Sequence, residues 1–238
     1  MTDADAAPRS VGVGIGVVIV AAGSGARLGA DRPKAFVELA GRTLLDHAVD
    51  GALAAGATSL AVVVPADLTQ EADVILAPVR DSGRAVATVV VGGAERTDSV
   101  RAGLAALDPD CGIILVHDAA RCLTPRAVFE RVISAVLDGA AGAVPGIPVV
   151  DTVKTVDAHG VIVGTPDRAH LRAIQTPQGF RAEVLRDAYL CGALATDDAA
   201  LVEAAGHKVV VVPGEPLAFK ITTPEDLERA KRLLKEAP

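Results

Sequence analysis

The chain has 238 residues, 23 Lys and Arg against 30 Asp and Glu for a formal net charge of −7, and is half hydrophobic yet only 2% aromatic. So apolar a sequence is not that of a disordered chain, and its length is enough to bury the core of one large domain or two small ones. With no Trp and one Tyr on an acidic chain it is not a nucleic-acid binder, which needs a basic track and stacking rings; a polyanionic ligand would need a local cluster of cations.

Residues 1–10 read as a disordered polar tail, and residues 11–238 as one domain. Asp3 and Asp5 argue against a secretory leader. The apolar stretch between Arg9 and Arg27 is punctuated by glycine and too short to span a membrane, which takes about 20 apolar residues. Cys111, Cys122 and Cys191 show neither C-x-x-C nor metal-ligand spacing and fit a reducing compartment. The expectation is a cytoplasmic protein that does not touch membranes.

Strand patterns occur at Gly16–Val20, Leu60–Val64, Ala87–Val91, Ile113–Val116, Gly142–Val144 and Lys208–Val212. Helical patterns alternate with them at Leu44–Ala54, Thr97–Leu107, Pro125–Leu137, Glu183–Leu194, Thr196–Ala205 and Pro224–Lys235. Thr124 before Pro125 and Thr223 before Pro224 read as caps followed by proline at the first helical position. Near-continuous apolar strands need helices on both faces, so the fold class is α/β: three layers around a mostly parallel, Rossmann-like sheet. Residues 147–172 break the rhythm. Val149–Val156 and Gly160–Val163, separated by Asp157-Ala158-His159-Gly160, read as an inserted hairpin that must pack on something, a second subunit being one candidate.

The first strand runs into Ala21-Ala22-Gly23-Ser24-Gly25-Ala26-Arg27-Leu28-Gly29, followed by Pro33-Lys34. Glycines there let backbone N–H groups approach phosphate oxygens. Leu28 stands where a dinucleotide fingerprint needs glycine, and no P-loop pattern occurs. Arg27 and Lys34 instead put cations inside the loop, as phosphoryl or nucleotidyl transfer requires. Gly92-Gly93-Ala94-Glu95-Arg96-Thr97-Asp98-Ser99 and Val116-His117-Asp118-Ala119-Ala120-Arg121 follow later strands, so three loops converge on the carboxyl edge where α/β sheets bind ligands. There Asp118 can hold Mg²⁺ and Arg121 can fork onto a phosphate. Lys220, one of only six lysines, precedes the last helix. The five histidines lack metal-ligand spacing, and no G-x-S-x-G nucleophile motif is present.

Taken in order, AAGSGARLG…PK, GGAERTDSV, VHDAAR, DTVK, QTPQ, TDD and FKITTPEDL resemble the 2-C-methyl-D-erythritol 4-phosphate cytidylyltransferase family of the non-mevalonate isoprenoid pathway. The resemblance implies a nucleotidyltransferase that takes CTP and a sugar-alcohol phosphate with Mg²⁺ or another divalent cation. It also implies a homodimer in which the hairpin is an arm embracing the partner. Carried over by position, Arg27, Lys34, Arg168 and Lys220 are the catalytic set, with Arg168 serving the neighbouring subunit. Ala21, Ala22, Gly23, Ser24, Gly25, Gly93, Arg96, Ser99 and Ala119 form the nucleotide pocket. Asp118, Arg121, Thr152 and Thr176 fall to substrate binding, with Asp118 also next to the metal. Ribitol 5-phosphate cytidylyltransferase shares these motifs and is the nearest alternative. A non-catalytic nucleotide sensor on the same fold is the alternative from another class.

Overall fold

The computed structural model describes residues 13–23, 25, 28–190 and 197–236. The expected tail at 1–10 lies outside them, as do Ser24, Arg27, Cys191 and Thr196. The elements run β1 Gly14–Val20, β2 Glu38–Leu39, β3 Arg42–Thr43, α1 Leu44–Ala54, β4 Ser59–Val64, α2 Thr69–Asp81, β5 Val86–Val91 and α3 Arg96–Ala106. Next come β6 Cys111–Asp118, α4 Arg126–Leu137, β7 Gly142–Pro148, β8 Thr155–Val156, β9 Ile162–Gly164, β10 Arg172–Ile174 and β11 Gln178–Arg181. The chain closes with α5 Ala182–Leu190, α6 Asp198–Ala204, β12 Val209–Pro213 and α7 Pro224–Glu236.

β1 pairs in parallel with both β4 and β6, and β4 with β5. Alternate residues of these strands enter opposite cores. Val17, Ile19, Leu60, Val62 and Leu115 meet Phe129 and Val132 of α4 on one face, together with residues of α1, α2 and α7. Val18, Ala61, Val63 and Val116 meet Val100 of α3, Leu185 of α5 and Val202 of α6 on the other. A strand covered on both faces has no polar side to show, which is why these runs are continuously apolar. The result is the expected three-layer, mostly parallel α/β fold. Among the described residues no helix is long and apolar enough to cross a membrane.

Three features depart from the sequence expectation. α2 falls in none of the predicted helical patterns; it carries Pro78 and buries only Ala72, Leu76 and Val79. The helix tolerates the proline because it sits in the last turn on the exposed face, and the carbonyl it leaves unpaired is that of Val74, one turn earlier on that same face, where water can satisfy it. β11 has no β-branched residue, yet it lies antiparallel between β6 and β7. Gly179 lets it in: a Cβ there would stand 2.4 Å from Val132 Cγ1 and 2.6 Å from Leu115 Cδ2. Thr124 is not a helix cap. Its hydroxyl donates to the Arg121 carbonyl at 2.7 Å, Pro125 occupies the N-cap position, and α4 begins at Arg126. Thr223 does cap α7: its hydroxyl accepts from Asp226 N–H at 3.3 Å, and Asp226 Oδ2 accepts from Thr223 N–H at 3.0 Å.

β8 and β9 pair antiparallel as a separate two-stranded hairpin between β7 and β10. Its apolar side chains face outward, with Val150, Val156, Val161, Ile162 and Val163 each more than half exposed.

Candidate functional site

β1, β5 and β6 all end at one edge of the sheet, and the loops that leave them make a cleft of about 220 Å³. After β1, Ala21 N–H donates to Val63 O at 2.8 Å, holding the glycine loop against β4. Gly25 has φ +66°, and a Cβ on it would come within 2.7 Å of Lys34 Cβ, so glycine here lets Lys34 close onto the loop. After β5, Gly93 N–H donates to Ser99 Oγ at 3.1 Å, and α3 starts with a capping box between Glu95 and Asp98. That places Arg96 at the first turn of α3, facing the cleft.

Asp118 ends β6 and is the electrostatic centre. Lys220 Nζ lies 2.7 Å from its Oδ2, Arg121 Nε 3.8 Å from the same oxygen, and Arg96 Nη2 3.9 Å from Oδ1. Burial alone would raise the Asp118 carboxyl, but Lys220, then Arg96 and Arg121, hold it below the ordinary carboxylate range. Lys220 reaches it because Ile221 N–H donates to Ala120 O at 2.8 Å, pinning the segment before α7 to the turn after β6. Arg121 is turned into the protein: Nη1 donates to Ala218 O at 2.7 Å and Nη2 to Ile174 O at 3.4 Å. Arg96 forks onto Asp198, Nη1 to Oδ1 at 3.1 Å and Nη2 to Oδ2 at 2.7 Å.

Behind Asp118, its N–H donates to Thr176 Oγ1 at 3.0 Å, and that hydroxyl meets His117 Nδ1 at 3.0 Å. In the neutral ring with Nδ1 unprotonated, the hydroxyl donates to that nitrogen while accepting from Asp118 N–H. Burial, helped by Arg121 and opposed by Asp118, pushes the His117 pKa down from 6.5 to about 4. Between those values the unfolded imidazole is protonated and the folded one is not, so stability drops as the pH is lowered from 6.5 toward 4, by up to about 3 kcal/mol. Denaturant unfolding at pH 7 and at pH 4.5 is expected to show this loss, and His117→Gln to flatten it. An unchanged slope in the variant would remove His117 as the cause.

Of the residues singled out in the sequence, Ala22, Gly23, Lys34, Gly93, Arg96, Ser99, Asp118 and Lys220 line the cleft. Ala21 and Ala119 are buried at its base, while their neighbours Val20 and Ala120 reach the wall. Thr176 is buried behind Asp118. Thr152 and Arg168 are exposed on the inserted segment and are not part of the cleft wall, and Arg168 donates to the Val150 carbonyl. Ser24 and Arg27 lie outside the described residues. Glu95, which lines the cleft, and Asp198, which stands behind Arg96, are given no role by the sequence. Asp198 had one signal, its place in the quoted TDD motif.

Among the described residues no group of three or more His, Cys, Asp or Glu could hold a metal. Two carboxylates line the cleft, Glu95 and Asp118; Asp118 stands among the cations, its Oδ2 committed to Lys220 and its Oδ1 in the longer contact with Arg96. This fits Mg²⁺, which keeps several waters and takes much of its coordination from substrate phosphates.

The family model described as 2-C-methyl-D-erythritol 4-phosphate cytidylyltransferase matches residues 15–236. A curated protein of that name from Nocardia farcinica is 57% identical over 215 residues, 90% of this chain and 91% of its own. Its namesake from Rhodococcus jostii is 52% identical over 218 residues, 91% and 93% of the two chains. Among solved structures, 4-diphosphocytidyl-2C-methyl-D-erythritol synthase from Anaerococcus prevotii superposes with a TM-score of 0.82 at 30% identity, covering 94% of this chain and 99% of that one. The cytidylyltransferase from Thermus thermophilus gives 0.72 at 35% identity, covering 94% and 100%.

Proposed function

The chain belongs to the 2-C-methyl-D-erythritol 4-phosphate cytidylyltransferase family, and on that premise we propose that its cleft joins CTP to 2-C-methyl-D-erythritol 4-phosphate. The products are 4-diphosphocytidyl-2-C-methyl-D-erythritol and pyrophosphate. The observation that carries the reading is the convergence of Lys34, Arg96 and Lys220 on one cleft beside Asp118, in a chain whose whole charge is −7.

The glycine loop after β1 and the Gly93–Ser99 turn take the nucleotide, offering backbone N–H groups and small side chains that let it approach. The substrate's phosphate oxygen attacks the α-phosphorus of CTP in line, forming the new P–O bond as the bond to pyrophosphate breaks. A phosphate monoester is already anionic at neutral pH, so no side chain has to remove a proton. Lys34 and Arg27 neutralise the charge that builds on the α-phosphate, and Lys220, aimed by Asp118, holds the attacking phosphate. Asp118 would hold Mg²⁺ from the protein side, and the ion would withdraw charge from the phosphates.

The reading includes a homodimer and a cytoplasmic location. The outward Val150, Val161, Ile162 and Val163 of the arm give a second subunit something apolar to cover. Thr152 and Arg168, exposed on that arm, would then complete the partner's substrate site. Mixing Arg168→Ala with Lys220→Ala subunits is expected to restore about a quarter of the parent activity, because half the dimers are mixed and each holds one intact site. No recovery after subunit exchange would place Arg168 in its own subunit's site. The deciding assay for the function is pyrophosphate release from CTP with Mg²⁺, run with methylerythritol phosphate and with ribitol 5-phosphate. Turnover confined to the first acceptor is expected, and silence with both would overturn the assignment.

A further inference from the structure

We propose that Asp198 is a positioning residue for nucleotide binding, its buried carboxylate fixing the plane of the Arg96 guanidinium in the wall of the cleft. This rests on the reading of that cleft as the CTP site.

The pair is asymmetric. The Asp198 side chain is fully buried, whereas the Arg96 side chain keeps 31% exposure and lines the cleft. The two residues are 102 positions apart, and the fork between them occupies one N–H on each terminal nitrogen of Arg96. A guanidinium has five N–H donors, so three are not taken by Asp198. A two-pronged contact sets orientation as well as charge, which a single contact does not.

Asp198 is itself over-determined. Tyr189, nearly buried, donates its hydroxyl to Oδ1. Burial, reinforced by the Asp198 carboxylate, pushes that phenol well above its ordinary value, so it remains a donor. One residue earlier, Asp197 accepts from Ala200 N–H at 3.0 Å and from Gln178 Nε2 at 2.9 Å. Gln178 Oε1 in turn accepts from Ala199 N–H at 3.0 Å. Gln178 lies on β11 opposite Val116, two residues before Asp118. The start of α6 is therefore bolted to the strand that ends in the active carboxylate. Arg96 is held from behind by Asp198 while its Nη2 stands 3.9 Å from Asp118 in front. For Arg96, the two carboxylates outweigh the cost of burial and hold its pKa above the ordinary value. A pair serving stability alone would have no reason to leave its cation on the cleft surface, and a buried ion pair is in any case weak evidence for stability.

The test is steady-state kinetics on the full chain with each substrate varied in turn. Asp198→Asn keeps the shape but sets an amide against the fork. It is expected to raise KM for CTP about 10–100-fold, the scale of hydrogen bonds to a charged group, with kcat at saturating CTP within about threefold and KM for the sugar-alcohol phosphate unchanged. In an Arg96→Ala background the same substitution is expected to add nothing. A folded Asp198→Asn protein with the parent KM for CTP overturns the inference, as does a full further loss in the Arg96→Ala background. Should Asp198→Asn not fold, Tyr189→Phe is expected to raise KM for CTP about two- to fivefold with the other KM unmoved, and a parent-like KM for CTP there overturns it. A parent protein that turns over no nucleotide overturns the functional reading and the inference together. An active parent with an indifferent Asp198→Asn overturns the inference alone.

Discussion

Lys220→Ala is expected to fold normally and to lose about 10²–10³ in kcat, the scale seen when one preorganised stabiliser of transition-state charge is removed. The side chain is 38% exposed and faces the cleft, so its truncation opens no cavity in the core. The main chain around it is held by Ile221 N–H to Ala120 O and by the Thr223–Asp226 cap, neither of which involves the ammonium. What changes is the balance at Asp118. Its nearest cation, at 2.7 Å, disappears, leaving Arg121 at 3.8 Å and Arg96 at 3.9 Å. The carboxyl then moves back up toward its ordinary value, and the attacking phosphate loses its guide. Stopped assays of pyrophosphate release, with circular dichroism on the same samples, check both halves. A variant within threefold of the parent would take Lys220 out of the mechanism.

Gly92→Ala is expected to cost about 10² in kcat/KM through geometry alone, since a misplacement of roughly 1 Å at a reacting centre is enough for a loss of that order. A Cβ on Gly92 would stand 2.5 Å from Ala22 Cβ and 3.0 Å from Ser99 Oγ. Ala22 Cβ is fixed to the backbone and cannot rotate away, so the loops after β1 and β5 must part. They are the two halves of the proposed nucleotide pocket. Equilibrium binding of CTP should weaken in parallel with the kinetics. Parent-like affinity would mean that the cleft takes up the methyl without moving.

Much of this site is legible in the sequence because its signals are local. Lysines are scarce, and Lys34 and Lys220 both sit in short motifs beside a strand end or helix start. Asp118 closes an apolar run, and Gly92-Gly93 follows another. The parallel sheet is legible for a similar reason, since strands buried on both faces leave unbroken apolar runs. What escapes is set by partners far along the chain. Asp198 has meaning only through Arg96, 102 residues away, and β11 is a strand only because Gly179 fits between Leu115 and Val132. The fork that Arg121 offers in the sequence is turned onto the carbonyls of Ala218 and Ile174, which nothing near position 121 foretells. α2 escapes because it buries only Ala72, Leu76 and Val79 and carries Pro78 where the helix faces water, so its apolar stripe is short.

The arm leaves β7 at Pro148 and rejoins the sheet at Arg172, and these two residues face each other directly in the antiparallel register. Facing Cα atoms in such a pair are about 5 Å apart, so everything from residue 149 to 171 is enclosed by a single closed gate. The segment can therefore lengthen, shorten or be exchanged wholesale without disturbing the register of any strand that carries the nucleotide loops. On the proposed reading, the choice of phosphate acceptor resides partly in a replaceable cassette and the choice of nucleotide in the fixed frame. Descendants of such a chain could change the one while inheriting the other intact.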